Sequence, residues 1–303
     1  MREKAQILDE FWIKILAILF MTIDHVGLFL CAYFPDQAAP QNAVGTAFRY
    51  IGRIAFPLFA FMLAEGMRHS KKPLRYISRL AAVWAVCEIV EITFLYGFGT
   101  SYGPNPLTDL LLCALVLYFL SLSGWKKLYA LLPAAFVGLS FGIDLYESFS
   151  PVTVLWFPGI IRAGYGLYGL ASALGFYYAL PVAKAIAKKS FSPLGEDGAS
   201  QFEAFQETKQ MRSLINLVGI TFFVAATVLF WGLNYLIKGG NVGDINVYND
   251  MSIGSYGLLA IVFLYAYSGK RGHDGKFFRI FTYSYFPVHL AIIFIVFRLI
   301  FHY

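Results

Sequence analysis

The chain has 303 residues, of which 58% are hydrophobic and 14% are charged, and its mean hydropathy is +0.62. Soluble domains carry about 25% charged residues, so this composition excludes a water-soluble globular protein. The 18% of aromatic residues excludes an intrinsically disordered chain, which needs few aromatic and many charged residues. Nucleic-acid binding is excluded as well. The net charge of +6 would indicate it only in a soluble fold with a basic face, and this composition excludes a soluble fold.

Nine apolar segments predict an all-α integral membrane protein, a polytopic bundle of about nine transmembrane helices. A helix needs about 20 apolar residues to cross a hydrocarbon layer about 30 Å thick. The nine segments are residues 12–33, 50–67, 79–97, 107–123, 128–143, 164–187, 213–237, 254–268 and 280–302. A further apolar stretch, 150–163, is short and contains Pro151 and Pro158, which favours a re-entrant or interfacial piece over a tenth span. The predicted number of spans is therefore eight to ten.

The distribution of Lys and Arg predicts the orientation of the bundle, because short loops rich in these residues stay in the cytoplasm. With the N-terminus in the cytoplasm, nineteen of the 24 basic residues lie on the cytoplasmic side. The five exceptions are Arg49, Arg53, Arg162, Lys238 and Arg298. We therefore predict a cytoplasmic N-terminus and a C-terminus on the outer side.

Residues 1–303 are expected to form a single polytopic transmembrane domain. The polar segment 188–212 is expected to be a cytoplasmic loop between two halves of the bundle. The three cysteines lie singly in apolar runs, and no Cys/His spacing typical of a metal site occurs, so no metal is expected. The sequence has no Walker, HExxH, GxSxG or dinucleotide-binding motif, which leaves ATP-driven transport and zinc proteolysis unsupported.

The first predicted span contains three ionisable residues, Lys14, Asp24 and His25. Each such residue costs at least about 2.5 kcal/mol inside a membrane and is kept mainly for function or pairing. Lys14 and His25 are eleven residues apart, which places both on one helix face about 16 Å apart along the axis. A long anionic substrate such as an acyl-coenzyme A fits this geometry, with its phosphates on Lys14 and its thioester at His25. The alternative is that Lys14 only reaches the interface and that Asp24 and His25 form structural pairs with other helices.

The second predicted span begins with Arg49 and Arg53, one helical turn apart. Arg53 lies at about the membrane depth of Asp24 and His25. One interpretation is an ion pair between Asp24 and Arg53, and the other is that Arg53 stabilises an oxyanion next to His25. Pro57 predicts a kink in this span.

Two further spans carry buried polar candidates. Glu88 and Glu91 are three residues apart on one face of the third span and are suited to acid–base chemistry or to pairing with an Arg of another helix. His289 follows Pro287 near the middle of the last span, where a histidine acts as a ligand, a proton relay or a hydrogen-bonded core residue.

Six short segments in a fixed order carry a family resemblance. They are MTIDHVG at 21–27, YIGRIAFPLFAF at 50–61, AEG at 64–66, YGLL at 256–259, GKRG at 269–272 and FPVHL at 286–290. Together they resemble the TraX family, whose namesake is a bacterial inner-membrane protein that acetylates the N-terminus of a conjugative pilin. The resemblance implies a multi-pass protein of the bacterial cytoplasmic membrane and an acetyl-CoA-dependent acetyltransferase. The spacing of Lys14 and His25 is also similar to the basic-x10-His pattern of the wider acyltransferase-3 group.

The expected function is therefore a transmembrane acetyltransferase that moves an acetyl group from cytoplasmic acetyl-CoA to an acceptor on the outer side. His25 is expected to act as general base and Arg53 to stabilise the developing charge or to fix Asp24, while Glu88 and His289 complete the buried polar site. The residues expected to hold the phosphates of acetyl-CoA are Lys14, Arg75 and Arg79.

The acceptor is expected to be the amine of a pilin-like protein N-terminus or a hydroxyl or amine of a cell-envelope glycan. The expected partners are thus the lipid bilayer, acetyl-CoA and this acceptor, without nucleic acid, and a homo-oligomer is compatible with the sequence. The alternative function is a proton-coupled transporter or flippase of a small molecule or envelope precursor, in which the buried His, Asp and Arg form the proton pathway.

Overall fold

The structure is a computed structural model of the chain, and it describes residues 6–98, 104–150, 152–237 and 251–301. Within these ranges the regular structure is helical, apart from one isolated β-bridge between Leu8 and Tyr267. The α-helices are α1 (Glu10–Tyr33), α2 (Pro40–Gly52), α3 (Ala55–His69), α4 (Pro73–Phe98), α5 (Pro106–Ser121), α6 (Leu131–Phe149), α7 (Gly166–Phe191), α8 (Gly195–Gln206), α9 (Lys209–Ile237), α10 (Met251–Gly254), α11 (Ile261–Tyr265) and α12 (Lys276–Phe301). The prediction of an all-α protein is therefore confirmed for the described residues, and Lys238 lies outside them.

Six segments of the described chain are long and apolar enough to cross a membrane, as is typical of a multi-pass membrane protein. They are Glu10–Tyr33, Pro40–His69, Gly124–Phe149, Gly159–Phe191, Lys209–Ile237 and Lys276–Phe301. The predicted spans at 107–123 and 254–268 correspond to shorter apolar helices, Pro106–Ser121 and Ser255–Tyr265, and the predicted span at 79–97 lies in α4. The count of nine spans and the cytoplasmic N-terminus stay predictions.

The predicted span 50–67 consists of two helices, because the chain turns at Arg53 and Ile54. The amide of Arg53 donates to the carbonyl of Tyr50, a tighter turn than an α-helix makes. Pro57 lies in the first turn of α3, where its missing N–H removes no helical hydrogen bond. The break therefore lies at Arg53, and the expected kink at Pro57 is wrong.

The expected polar loop at 188–212 is largely helical. α7 continues to Phe191, and α8 occupies Gly195–Gln206 before α9 begins at Lys209. Phe202 and Phe205 are three residues apart on α8, so they share one face and pack against a small buried cluster of α7 and α9. The polar segment therefore contains an amphipathic helix, α8, whose two phenylalanines pack against the bundle.

The stretch 150–163 forms no α-helix in its described residues and contains a single 3₁₀ turn at Gly159–Ile161. Arg162 holds its end, since its buried guanidinium donates to Asp144 at 2.8 Å and to Glu147 at 2.6 Å. Leu155 is 84% exposed, as expected for an apolar residue that faces lipid or an interface. The ion cluster therefore fastens this short piece to the end of α6.

Backbone hydrogen bonds join the start of the first described helix to the segment that precedes the last one. Leu8 donates to the carbonyl of Ala266 at 3.0 Å and accepts from Ser268 at 2.7 Å, while the amide of Glu10 donates to Lys270 at 2.8 Å. These bonds connect the start of α1 to the segment that leads into α12. The start of α1 is thereby fixed to the chain just before α12.

Candidate functional site

Glycines bring α1 and α2 into close contact. A Cβ at Gly27 would lie 2.6 Å from the carbonyl oxygen of Gly45, and a Cβ at Gly52 would overlap the Cβ of Asp24. Small residues let the backbones of membrane helices approach each other in this way. The close approach places Arg49 in the last turn of α2, and Arg53 just after it, directly against Asp24.

Asp24 is held by two arginines. Arg49 donates to one carboxylate oxygen at 2.5 Å, and Arg53 donates to the other, with its Nε at 3.1 Å. The Nη1 of Arg53 also donates to the hydroxyl of Tyr165 at 3.3 Å. The ion pair between Asp24 and Arg53 is therefore present, and Arg49 joins it, so the buried carboxylate is neutralised by charge-assisted bonds.

His25 and His289 form a hydrogen-bonded pair between α1 and α12. The Nδ1 of His289 lies 2.9 Å from the carbonyl oxygen of Tyr285, and because a carbonyl only accepts, this nitrogen carries the hydrogen. The Nε2 of a neutral His289 is then an acceptor, and the Nδ1 of His25, at 2.7 Å, donates to it. Neutral His25 therefore keeps its lone pair on Nε2, which is the tautomer that a general base needs.

Tyr285 supports this histidine pair. Its ring stacks on the ring of His289, with centroids 5.2 Å apart and an interplanar angle of 7°. Its hydroxyl bonds to Thr22 of α1 at 2.7 Å. Tyr285 thus orients His289 through its ring and its backbone, and it ties α12 to α1 one turn away from the pair.

A cavity of about 90 Å³, here called the histidine cavity, lies beside these groups. Its polar lining residues are Asp24, His25, Arg49, Arg53, Glu91, Asn105 and Tyr165. Glu88 does not line the cavity. Its carboxylate instead accepts hydrogen bonds from Asn105 at 3.1 Å and from Thr108 at 3.5 Å. Of the two carboxylates predicted on this face, Glu91 rather than Glu88 faces the cavity, and Glu88 orients Asn105.

Asp109 was not singled out from the sequence, yet it shapes the site. This fully buried carboxylate of α5 accepts the amides of Gly164, Tyr165 and Gly166 at 2.9 to 3.0 Å. These amides lie at the start of α7, where a negative charge is favourable. Asp109 thus places Tyr165, and through it Arg53. The sequence does contain a signal for it, because Asp109 is an acidic residue inside the predicted span 107–123, just as Asp24 is inside the first span.

A second cavity, of about 700 Å³, contains the three residues expected to bind acetyl-CoA. Its basic lining residues are Lys14, Lys71, Lys72, Arg75, Arg79, Arg271 and Arg279. Three acidic residues also line this cationic cavity, of which Glu10 pairs with Lys14 at 2.6 Å and Asp274 with Arg271 at 2.6 Å. Arg75 and Arg79 have no acidic partner among the described residues. Basic side chains therefore outnumber acidic ones in the lining of this cavity, and an anionic ligand would complement the excess positive charge.

The structure brings the predicted residues together in two groups. Asp24, His25 and Arg53 line the histidine cavity, and His289 joins them through its bond to His25, whereas Lys14, Arg75 and Arg79 line the cationic cavity. Among the described residues, no group of three His, Cys, Asp or Glu side chains is placed to hold a metal ion. The arrangement therefore combines a cavity rich in cationic side chains with a histidine pair next to an arginine that Asp24 binds.

Comparison with known proteins adds a family match and one relative. The model of a family described as TraX protein matches residues 10–186, more than half of the chain. A probable fimbrial assembly protein, FimC of serogroup H1 from Dichelobacter nodosus, is 33% identical over 72 residues, which are 24% of this chain. The matched region spans 27% of the length of that protein. No solved structure matches this chain.

Proposed function

This chain belongs to the TraX family, and we propose that it is an acetyltransferase of the bacterial cytoplasmic membrane. It transfers an acetyl group from cytoplasmic acetyl-CoA to an acceptor on the outer side. The observation that carries the proposal is that Arg75 and Arg79, which have no acidic partner in the described chain, line the cationic cavity, while the His25–His289 pair lies at the histidine cavity. The name of the relative from Dichelobacter nodosus favours a pilus protein over a glycan as the acceptor.

The cationic cavity is suited to the phosphates of coenzyme A. Arg75 and Arg79 offer guanidinium groups that no acidic residue of the described chain neutralises, and Lys14 adds an ammonium group. Guanidinium groups bind phosphate through paired hydrogen bonds, while an ammonium acts as a point charge. Lys14 lies about 16 Å from His25 along α1, a distance that an extended pantetheine arm covers.

His25 is the proposed general base. Acetyl-CoA supplies an activated acyl group, and the Nε2 of His25 accepts a proton from the acceptor amine or hydroxyl as the new bond to the acyl carbon forms. The carbon–sulfur bond then breaks, and His25 returns the proton to the departing thiolate. The hydroxyl of Tyr165 already accepts from Arg53, so its own hydrogen is free to donate to the oxyanion that develops.

Purified protein in detergent, given labelled acetyl-CoA and membrane extract, tests this function. We expect label to move from the thioester to a protein or glycan of the extract. Binding of acetyl-CoA without any transfer would contradict the catalytic proposal. Absence of acetyl-CoA binding would contradict it too and would favour the transporter.

Replacing Arg79 by alanine is expected to weaken coenzyme A binding about tenfold or more. A hydrogen bond to a charged group contributes about 1.5 to 3 kcal/mol, and about 1.4 kcal/mol corresponds to a tenfold change in Kd. Titration of the purified variant with labelled coenzyme A measures the effect. Lys188→Ala is the matched control, because Lys188 is exposed at the end of α7 and lines neither cavity. Equal Kd values for the two variants would contradict the binding role.

Replacing Arg53 by lysine is expected to lower the transfer rate about 10²-fold, the usual effect of losing one donor at an oxyanion site, because it releases the Tyr165 hydroxyl that Arg53 positions. Lysine keeps the charge, but one ammonium cannot contact both Asp24 and the hydroxyl of Tyr165 as the guanidinium does. Arg49→Lys is the comparison, since Arg49 reaches Asp24 through one nitrogen and its replacement should cost much less. Full activity of Arg53→Lys would show that positive charge alone suffices.

A further inference from the structure

Phe286 of α12 separates the two cavities. Among the described residues, it is the one side chain that lines both of them. The ring meets His289 edge to face, with centroids 5.7 Å apart, and approaches Phe59 at 6.3 Å. It is 7% exposed, so it fills the space between the histidine pair and the end of the cationic cavity.

The cavities on either side of this ring differ in size and lining. The cationic cavity is about 700 Å³, and its lining includes the apolar side chains of Met21, Leu63, Leu107 and Leu110, which belong to the same buried cluster as Phe286. The histidine cavity is only about 90 Å³, and half of its lining residues are polar. A long apolar chain therefore finds room only on the cationic side of Phe286, whereas the reacting atoms belong on the other side.

The backbone next to Phe286 lacks one helical hydrogen bond. Pro287 lies inside α12 and has no N–H, so it cannot donate to the carbonyl of Tyr283, one turn earlier. Tyr283 also lines the cationic cavity. The turn that carries Phe286 therefore has less backbone restraint than the rest of the helix, which allows the ring to give way to a small group.

We propose that Phe286 determines which acyl groups the site accepts, admitting a short acyl group to His25 and holding longer chains back. This inference rests on the proposed acyltransferase function. An acetyl carbonyl needs to displace the ring only slightly to reach the histidine cavity. The further methylenes of a longer chain have to fit where the aromatic ring now lies, because the histidine cavity, at about 90 Å³, is too small for a long chain.

The test compares acetyl-, butyryl- and hexanoyl-CoA as donors for the purified protein and for Phe286→Ala. The unchanged protein is expected to favour acetyl over hexanoyl about 100-fold or more in kcat/KM, since single methylenes alter such ratios about 10- to 200-fold. In Phe286→Ala the ratio should fall at least tenfold. Phe294→Ala is the matched control, because this phenylalanine is buried in the same helix and lines neither cavity, so its ratio should stay unchanged.

The possible outcomes separate the two proposals. Transfer from acetyl-CoA with the same donor ratio in Phe286→Ala and in the unchanged protein would overturn the role of Phe286 alone. Absence of transfer from every donor by the unchanged protein would overturn the proposed function and with it this inference. If Phe286→Ala does not fold, Phe286→Leu is measured instead. An acetyl-to-hexanoyl ratio equal to that of the unchanged protein would then overturn the role of Phe286.

Discussion

Replacing His25 by alanine is expected to lower the rate of acetyl transfer about 10²- to 10⁴-fold, the usual contribution of a general base. The Tyr285 carbonyl, His289 and His25 form a chain of hydrogen bonds in which each imidazole donates from Nδ1. That chain leaves the lone pair of His25 on Nε2, and His25 itself lines the histidine cavity. Alanine removes this lone pair, and no other imidazole among the described residues lines that cavity to replace it.

The measurement is single-turnover transfer of labelled acetyl groups, made beside a titration with coenzyme A. The Kd should stay within about twofold, because His25 does not line the cationic cavity. His273→Ala provides the control, since His273 lines neither cavity and should leave the transfer rate unchanged. A His25→Ala protein that transfers acetyl groups at the normal rate would refute the assignment of the base.

Replacing Asp24 by alanine is expected to destabilise the protein by about 3 to 5 kcal/mol, the usual cost of breaking a buried ion pair by removing one partner. Arg49 and Arg53 both depend on this carboxylate, and each is largely shielded from solvent. Without Asp24, two adjacent cations would face each other inside the membrane region. The free energy lost is therefore mainly that of leaving charge unpaired rather than that of the bonds themselves.

Thermal unfolding in detergent measures this loss. Glu10→Ala is the reference, because it removes the partly exposed pair with Lys14, and exposed pairs contribute at most about 1 kcal/mol. Replacing Arg49 and Arg53 by leucine in the Asp24→Ala background should restore part of the stability, since it removes the unpaired charges. If Asp24→Ala were as stable as Glu10→Ala, the expected cost of leaving Arg49 and Arg53 without Asp24 would be wrong.

The sequence predicted the type of fold and most of the polar residues of the site, because both follow from local rules. Long apolar runs predict helices, and an ionisable residue inside such a run is conspicuous by itself. His25, Asp24, Arg53 and His289 were identified in this way, and the structure brings them together.

The remaining features depend on contacts between distant segments and could not be predicted from local patterns. The partner of His25 lies 264 residues away, and that of Asp109 is the backbone of the turn before α7, some 55 residues later. Glu88 and Glu91 share a helix face in the sequence, but only the packing of α5 decides which one reaches the cavity. The turn at Arg53 likewise depends on the close approach of Gly52 to Asp24.

The backbone bonds between Leu8 and the segment 266–268 have a consequence for biosynthesis. They hold the start of α1 against the segment that leads into α12, the helix whose His289 bonds to His25. A ribosome completes α12 after every other described helix, so a nascent chain carries an exposed His25 without its partner. Under the proposed function, transfer would therefore begin only when the whole described chain has entered the membrane, and a product truncated before α12 would remain inert.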